Sequence, residues 1–131
     1  MGAAIAALPP FFRFALVGCV GFAVDGGLLV LLTALGWGPI AARCISFPAA
    51  VLATWWLNRS ITFGDRGPLG ASLLRYVGVS LVGTSVNFGV YSALVLGSTA
   101  MAAQPIVPFA IASALALVFN YLGSKHFAFR R

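Results

Sequence analysis

Residues 13–35 read RFALVGCVGFAVDGGLLVLLTAL, and the reading of this stretch decides the fold. At ~1.5 Å per residue, a helix of that length rises about as far as the ~30 Å hydrocarbon core of a bilayer. Asp25 lies near its middle and is one of only 2 acidic residues in the 131-residue chain. A carboxylate at such depth is costly and persists where it has a partner or a task. The pattern then returns. RFALVGCVGFAVDGG (13–27) is echoed by RYVGVSLVGTSVNFG (75–89), so that Arg13 falls on Arg75, Gly21 on Gly83, Asp25 on Asn87 and Gly27 on Gly89, all at one constant offset.

Composition points the same way. The chain is 61% hydrophobic and 8% charged, with a mean hydropathy of +1.03, whereas soluble domains carry ~25% charged residues. The whole stretch 76–124 contains no charge. Lipid offers the backbone no hydrogen-bond partners, so such segments must be helices or a closed barrel, and the alternation of a barrel strand is absent. The expected fold is an all-α membrane protein with transmembrane helices near Phe12–Leu35, Ile40–Ile61, Leu74–Leu96 and Met101–Ser124. It forms one domain over 1–131, built as two tandem two-helix repeats, 11–63 and 73–129. An even number of helices per repeat gives both repeats the same orientation. Only short loops remain, which leaves no room for a separate catalytic domain. The first ten residues lack the basic start of a signal peptide. Ala6 stands where a myristoylation motif wants Ser or Thr.

The net charge of +6 would suit nucleic acid, but its distribution does not. Arg13, Arg59, Arg66, Arg75, Lys125, Arg130 and Arg131 flank span ends on one side, and Arg43 alone falls on the other. This asymmetry places both termini in the cytoplasm and sets the bases against anionic headgroups rather than nucleic acid.

Gly18, Gly21 and Asp25 recur at spacings of three and four and share a helix face suited to close packing. Gly36-Trp37-Gly38-Pro39 reads as a tight outer turn with Trp37 at the interface. Pro48 sits in mid-span and kinks the second helix. Gly64-Asp65-Arg66-Gly67-Pro68 is a cytoplasmic connection in which Asp65 is solvated, and Gly97–Pro105 is a longer uncharged outer loop. Cys19 and Cys44 lie on the order of 15 Å apart along the membrane normal, outside disulfide reach, and read as free, packed thiols. His126 beside Lys125 is an interfacial histidine. With no Ser/His/Asp set, paired carboxylates or metal-ligand cluster, the sequence is expected to be no enzyme and to need no metal or cofactor.

The repeat, opened by R-F-x-x-V-G with Asp25 beyond, resembles the GtrA-like family of small four-helix membrane proteins. The helix endings Leu57–Phe63 (LNRSITF) and Ser124–Phe129 (SKHFAF) resemble that family's endings. Departures are Ile61 and Phe127, where tryptophan is common in the family, and Gly123-Ser124 in place of an Asn-Arg start. The resemblance implies translocation of a polyprenyl-phosphate-linked monosaccharide across the cytoplasmic membrane for cell-surface polysaccharide synthesis or modification. Its partners are then that lipid, the membrane lipids and glycosyltransferases of the same pathway. Four helices enclose little volume, so a homodimer is expected.

Such a substrate has an anionic phosphate, a polar sugar and a long apolar tail. Arg43 suits the phosphate near the outer face, and Arg13, Arg59, Asn58, Arg75 and Lys125 suit it near the inner face. Asp25, Asn87, Thr33 and Ser46 offer hydrogen bonds between. Asp25 lies ~15 Å and Arg43 ~5 Å below the outer ends of antiparallel helices, and a long arginine side chain closes much of that gap. The two are expected to pair inside the bundle. Two other readings stay open: a small multidrug-type exporter using Asp25, and a membrane anchor that recruits a glycosyltransferase.

Overall fold

A computed structural model describes residues 4–5, 7–104 and 106–129. Arg130, Arg131, Ala6 and Pro105, which bear on expectations above, lie outside the described residues. Helix α1 spans Pro10–Ala34 and α2 spans Pro39–Leu57, followed by a π-helical turn, Asn58–Thr62. Helix α3 spans Leu69–Gly97, a short α4 spans Thr99–Ala103, and α5 spans Ile106–Gly123, ending in a second π-helical turn, Ser124–Ala128. The described residues are helical with no strand. Four helices, Pro10–Ala34, Pro39–Thr62, Leu69–Gly97 and Ile106–Ala128, are long and apolar enough to cross a membrane. This is an all-α, multi-pass membrane protein.

The boundaries follow local chemistry. Pro9 and Pro10 start α1, where a missing N–H costs nothing. Its other end is closed by a Schellman motif. Trp37 N–H donates to Leu32 O at 3.0 Å, and Gly36 N–H donates to Thr33 O at 3.1 Å. Gly36 has φ +99°, which is why a glycine stands there. Pro39 then opens α2, which runs on through Pro48 to Leu57 as one helix. Two boundaries differ from expectation. Helix α3 begins at Leu69 rather than Leu74, since Pro68 marks a natural start and Ala71 and Leu73 favour helix. The fourth spanning helix begins at Ile106 rather than Met101, because the segment after Gly97 forms the separate α4, whose first turn is capped by Ser98 Oγ, accepting from Met101 N–H at 3.3 Å. Such a cap satisfies one of the amides that a helix start leaves free.

The chain divides into two compact units, Met1–Leu69 and Gly70–Arg130. In the first, Phe14, Val17 and Gly21 of α1 and Ala42, Ser46 and Ala50 of α2 are buried, together with Asn58, Arg59 and Thr62. In the second, Tyr76, Val79 and Gly83 of α3, Pro108, Ala112 and Ala116 of α5, and Ser124 and Ala128 are buried. Tyr76, Val79 and Gly83 follow Phe14, Val17 and Gly21 at one constant offset, and Pro108, Ala112 and Ala116 follow Ala42, Ser46 and Ala50 at another. An aromatic pair packs in each unit. Phe14 meets Phe63 at 6.3 Å between ring centroids, and Tyr76 meets Phe129 at 5.5 Å.

Close helix approach is made through fewer glycines than expected. A Cβ on Gly21 would overlap the Thr54 methyl, and one on Gly83 would overlap the Asn120 carboxamide. Gly18 meets nothing within 4 Å, so the expected packing face of α1 narrows to Gly21, and on α3 Gly83 makes the contact while Gly78 is open. Cys19 and Cys44 are free, as expected, but exposed rather than packed.

Candidate functional site

Helix α1 brings Asp25 to the flank of α2, and Arg43 reaches it from one turn inside the start of α2. Arg43 Nη1 donates to both carboxylate oxygens, at 2.6 Å to Oδ1 and 2.7 Å to Oδ2. By helical rise, Asp25 lies ~14 Å below Ala34 and Arg43 ~6 Å below Pro39. The arginine side chain closes that difference, as the spacing predicts. The location is corrected, however. The pair does not lie in an interior: the Arg43 side chain is 49% exposed and that of Asp25 22%. The Arg43 guanidinium also lies 5.6 Å from the centroid of the Phe47 ring, one turn on. A ring face in that position supports the cation on its apolar flank. One further turn-neighbour of Arg43, Ser46, is wholly buried with its Oγ unpartnered. Thr33, by contrast, spends its hydroxyl on Leu29 O and Val30 O of its own helix, at 2.8 and 3.0 Å.

The bases at the other end separate into distinct environments. Arg59 is buried and donates to Asp65 Oδ2 at 2.9 Å and to the Gly67 carbonyl. Asp65 is therefore not solvated: its side chain is 5% exposed, and its Oδ1 accepts from Gly67 N–H at 3.0 Å. The π-helical turn does this. Asp65 N–H donates to Arg59 O at 2.9 Å, and Gly64 takes φ +59°, so the chain folds back over Arg59. Asn58 is buried, and its Oδ1 accepts from Thr62 Oγ1 at 2.8 Å. Arg75 donates from Nε and Nη2 to the Ala128 carbonyl, at 3.3 and 3.2 Å. That bond satisfies an acceptor left over at a helix end. Arg13, the counterpart of Arg75 in the sequence echo, is half-buried with its Nε unpartnered. Lys125 is exposed, its Nζ 5.9 Å from the Tyr121 ring centroid. His126 beside it is exposed.

Of the residues expected to meet the substrate, the structure thus joins Asp25 to Arg43, encloses Arg59 and Asn58, and ties Arg75 to its own unit. Asn87 is half-buried on α3. Two residues that sequence reasoning passed over matter here. Asn120 lies against Gly83 with its Oδ1 buried and unpartnered, and Asp65 closes on Arg59. The offset that carries the end of α2 onto the end of α5 could have found Asn120, since it falls on Thr54, the residue facing Gly21. Among the described residues no cluster of three or more His, Cys, Asp or Glu stands ready to hold a metal ion.

The first unit presents a cation paired with a carboxylate in a membrane-spanning segment, and the second presents uncharged hydrogen-bonding groups, Asn87 and Asn120, on apolar helices. Chemically, the first can neutralise an anion and the second can hold hydroxyls, each taken by itself, while the exposed apolar residues face hydrocarbon. No individual curated protein matches the chain. The model of the GtrA/DPMS transmembrane domain matches residues 13–129, and the chain belongs to that family.

Proposed function

We propose that this protein translocates a polyprenyl-phosphate-linked monosaccharide across the cytoplasmic membrane, supplying cell-surface polysaccharide synthesis or modification. Family membership supports the general class of lipid-linked sugar handling. The observation that carries the mechanism is the Arg43–Asp25 pair. It is held within the spans by two short contacts, yet half of the Arg43 side chain is exposed. An incoming phosphate competes with the Asp25 carboxylate for the guanidinium, because both are oxyanions matched to the same donors. The pair opens as the head passes and closes behind it. The paired state lowers the cost of an isolated charge in lipid.

Both termini and the 64–68 connection are cytoplasmic in this account, on the asymmetry of Lys and Arg along the chain. We read the two compact units as two copies of one helix pair, a view supported by the constant offsets of their buried positions. A homodimer would supply the wall area that one thin chain lacks. Binding roles for Arg13, Asn87 and Lys125 remain part of the proposal, whereas Arg59, Asn58 and Arg75 act through the fold they hold. Against the exporter reading stands the charge asymmetry, with 7 of the 8 Lys and Arg on one side of the spans rather than a balanced distribution.

The deciding experiment is transport by the purified full-length protein in liposomes, with a labelled polyprenyl-phosphate sugar in one leaflet. Protein-dependent movement to the other leaflet is expected. Movement of an organic cation instead would favour the exporter, and movement of neither would favour the anchor.

A further inference from the structure

Unit for unit, the two helix pairs treat the same polar positions differently. In Met1–Leu69, Thr54 faces Gly21 with its methyl and spends its hydroxyl on Ala50 O at 2.9 Å and Val51 O at 3.1 Å. One turn on, Asn58 accepts from Thr62. These side chains are satisfied within the unit. In Gly70–Arg130, the positions corresponding to Thr54, Asn58 and Thr62 are Asn120, Ser124 and Ala128.

Ala128 has no hydroxyl to offer, so the bond made by Thr62 has no counterpart. Ser124 is 0% exposed with its Oγ unpartnered, and the Asn120 Oδ1 is buried and unpartnered as well. The two are four positions apart on a helical stretch and lie on one face. Opposite, Gly83 makes room for the Asn120 carboxamide, and Asn87 lies one turn along α3, half-buried. Unpaired hydrogen-bonding groups in a membrane span are costly, and on a side chain that is partly open, as that of Asn120 is, they point to an occupant. None of these groups is charged, so an anion gains little here. A hydroxyl, which both donates and accepts, suits a carboxamide in either orientation and a serine.

We infer that Asn120, with Ser124 behind it and Asn87 one turn away, is an uncharged site for sugar hydroxyls that sets a preference for glycosylated over bare polyprenyl phosphate. The inference rests on the lipid-linked sugar reading above. Asn120 is partly open whereas Ser124 is enclosed, so Asn120 makes the contact and Ser124, one turn on, can bear on the lipid only through Asn120.

Binding in detergent tests this independently of transport. Native mass spectrometry of the full chain would compare a polyprenyl-phosphate sugar with the same polyprenyl phosphate lacking the sugar. The wild type should favour the sugar-bearing lipid by about tenfold, the scale of one or two hydrogen bonds. Asn120→Thr, which installs the residue found in the first unit, should erase that preference while leaving the bare lipid bound as before. Ser124→Ala should reduce the preference severalfold and serves if Asn120→Thr misfolds. Equal binding of the two lipids by the wild type would overturn the inference. So would an undiminished preference in both variants, the result expected if the polar groups hold only a structural water. A preference lost in Asn120→Thr alongside failed transport by the wild type would sink the flipping account and leave this site standing.

Discussion

Arg43 places one nitrogen within 2.7 Å of both carboxylate oxygens of Asp25, across two helices and 18 positions of sequence. Both residues sit in segments apolar enough to cross a membrane. Arg43 lies in the second turn of α2, where the helix dipole does not favour a cation. Asp25 offsets that cost and the cost of the charge in lipid. Removing either partner thus tests a different thing: losing Asp25 tests what holds the arginine, and losing Arg43 tests whether the guanidinium meets the substrate.

Asp25→Asn should fold, because an amide oxygen still accepts from Arg43 and Asn87 stands at the corresponding position of α3. Because that acceptor is retained, the loss in stability should be about 1 kcal/mol, the difference between a charged and a neutral hydrogen-bond acceptor. Thermal unfolding in detergent measures it. A collapse in yield or a far larger loss would mean that the pair is chiefly structural.

The Arg59–Asp65 pair should behave in the opposite way. Its side chains are 8% and 5% exposed, so removing one partner strands a buried charge. Arg59→Gln and Asp65→Asn should each cost about 3 kcal/mol, with the double variant losing less than the sum of the two. A double-mutant cycle by thermal unfolding reads the coupling. Additive losses would show that the clasp contributes nothing as a pair.

Gly21→Leu and Gly83→Leu should each destabilise their own helix pair, because side chains already occupy the space. The loss should be about 2 kcal/mol or more, the scale of overpacking. Gly18→Leu, with nothing within 4 Å, should be near neutral. Gly36→Leu is also open in space, but its backbone is left-handed. That conformation should cost about 1 kcal/mol once a side chain is added. Equal unfolding midpoints for Gly18→Leu and Gly21→Leu would refute the contact.

Topology can be read by thiol labelling of intact cells. Cys19 and Cys44 are exposed and must first become alanine. Gln104→Cys should then react with an impermeant reagent from outside, and Pro68→Cys should not. Reaction at both positions would reveal dual topology and reopen the exporter reading.

The helices, their number and the Asp25–Arg43 pairing were legible because charge is so sparse that each ionised residue marks a boundary or a partner. The fate of Arg59 was not. Its burial depends on a π-helical turn and on Gly64 at positive φ, which carry Asp65 back over it, and neither has a pattern visible in hydropathy. Gly18 misled for a related reason. Helical spacing puts glycines on a face, but only the facing residue, Thr54 or Asn120, decides which of them is a contact. Asn120 itself was hidden inside an apolar run, and its importance emerges from the unpartnered oxygen and not from its spacing.

The central claim is that Arg43 takes the phosphate of the travelling lipid, and one comparison tests it most directly. Wild type and Arg43→Gln, reconstituted at equal density in liposomes, are assayed for movement of a labelled polyprenyl-phosphate sugar. Arg43→Gln leaves Asp25 with only an amide N–H within reach, so some loss of stability is expected, and the comparison uses protein shown by thermal unfolding in detergent to be folded. Its transport should fall at least about a hundredfold, the loss expected when a charged phosphate contact worth roughly 3 kcal/mol disappears. Transport at the wild-type rate by a well-folded Arg43→Gln protein would contradict the account.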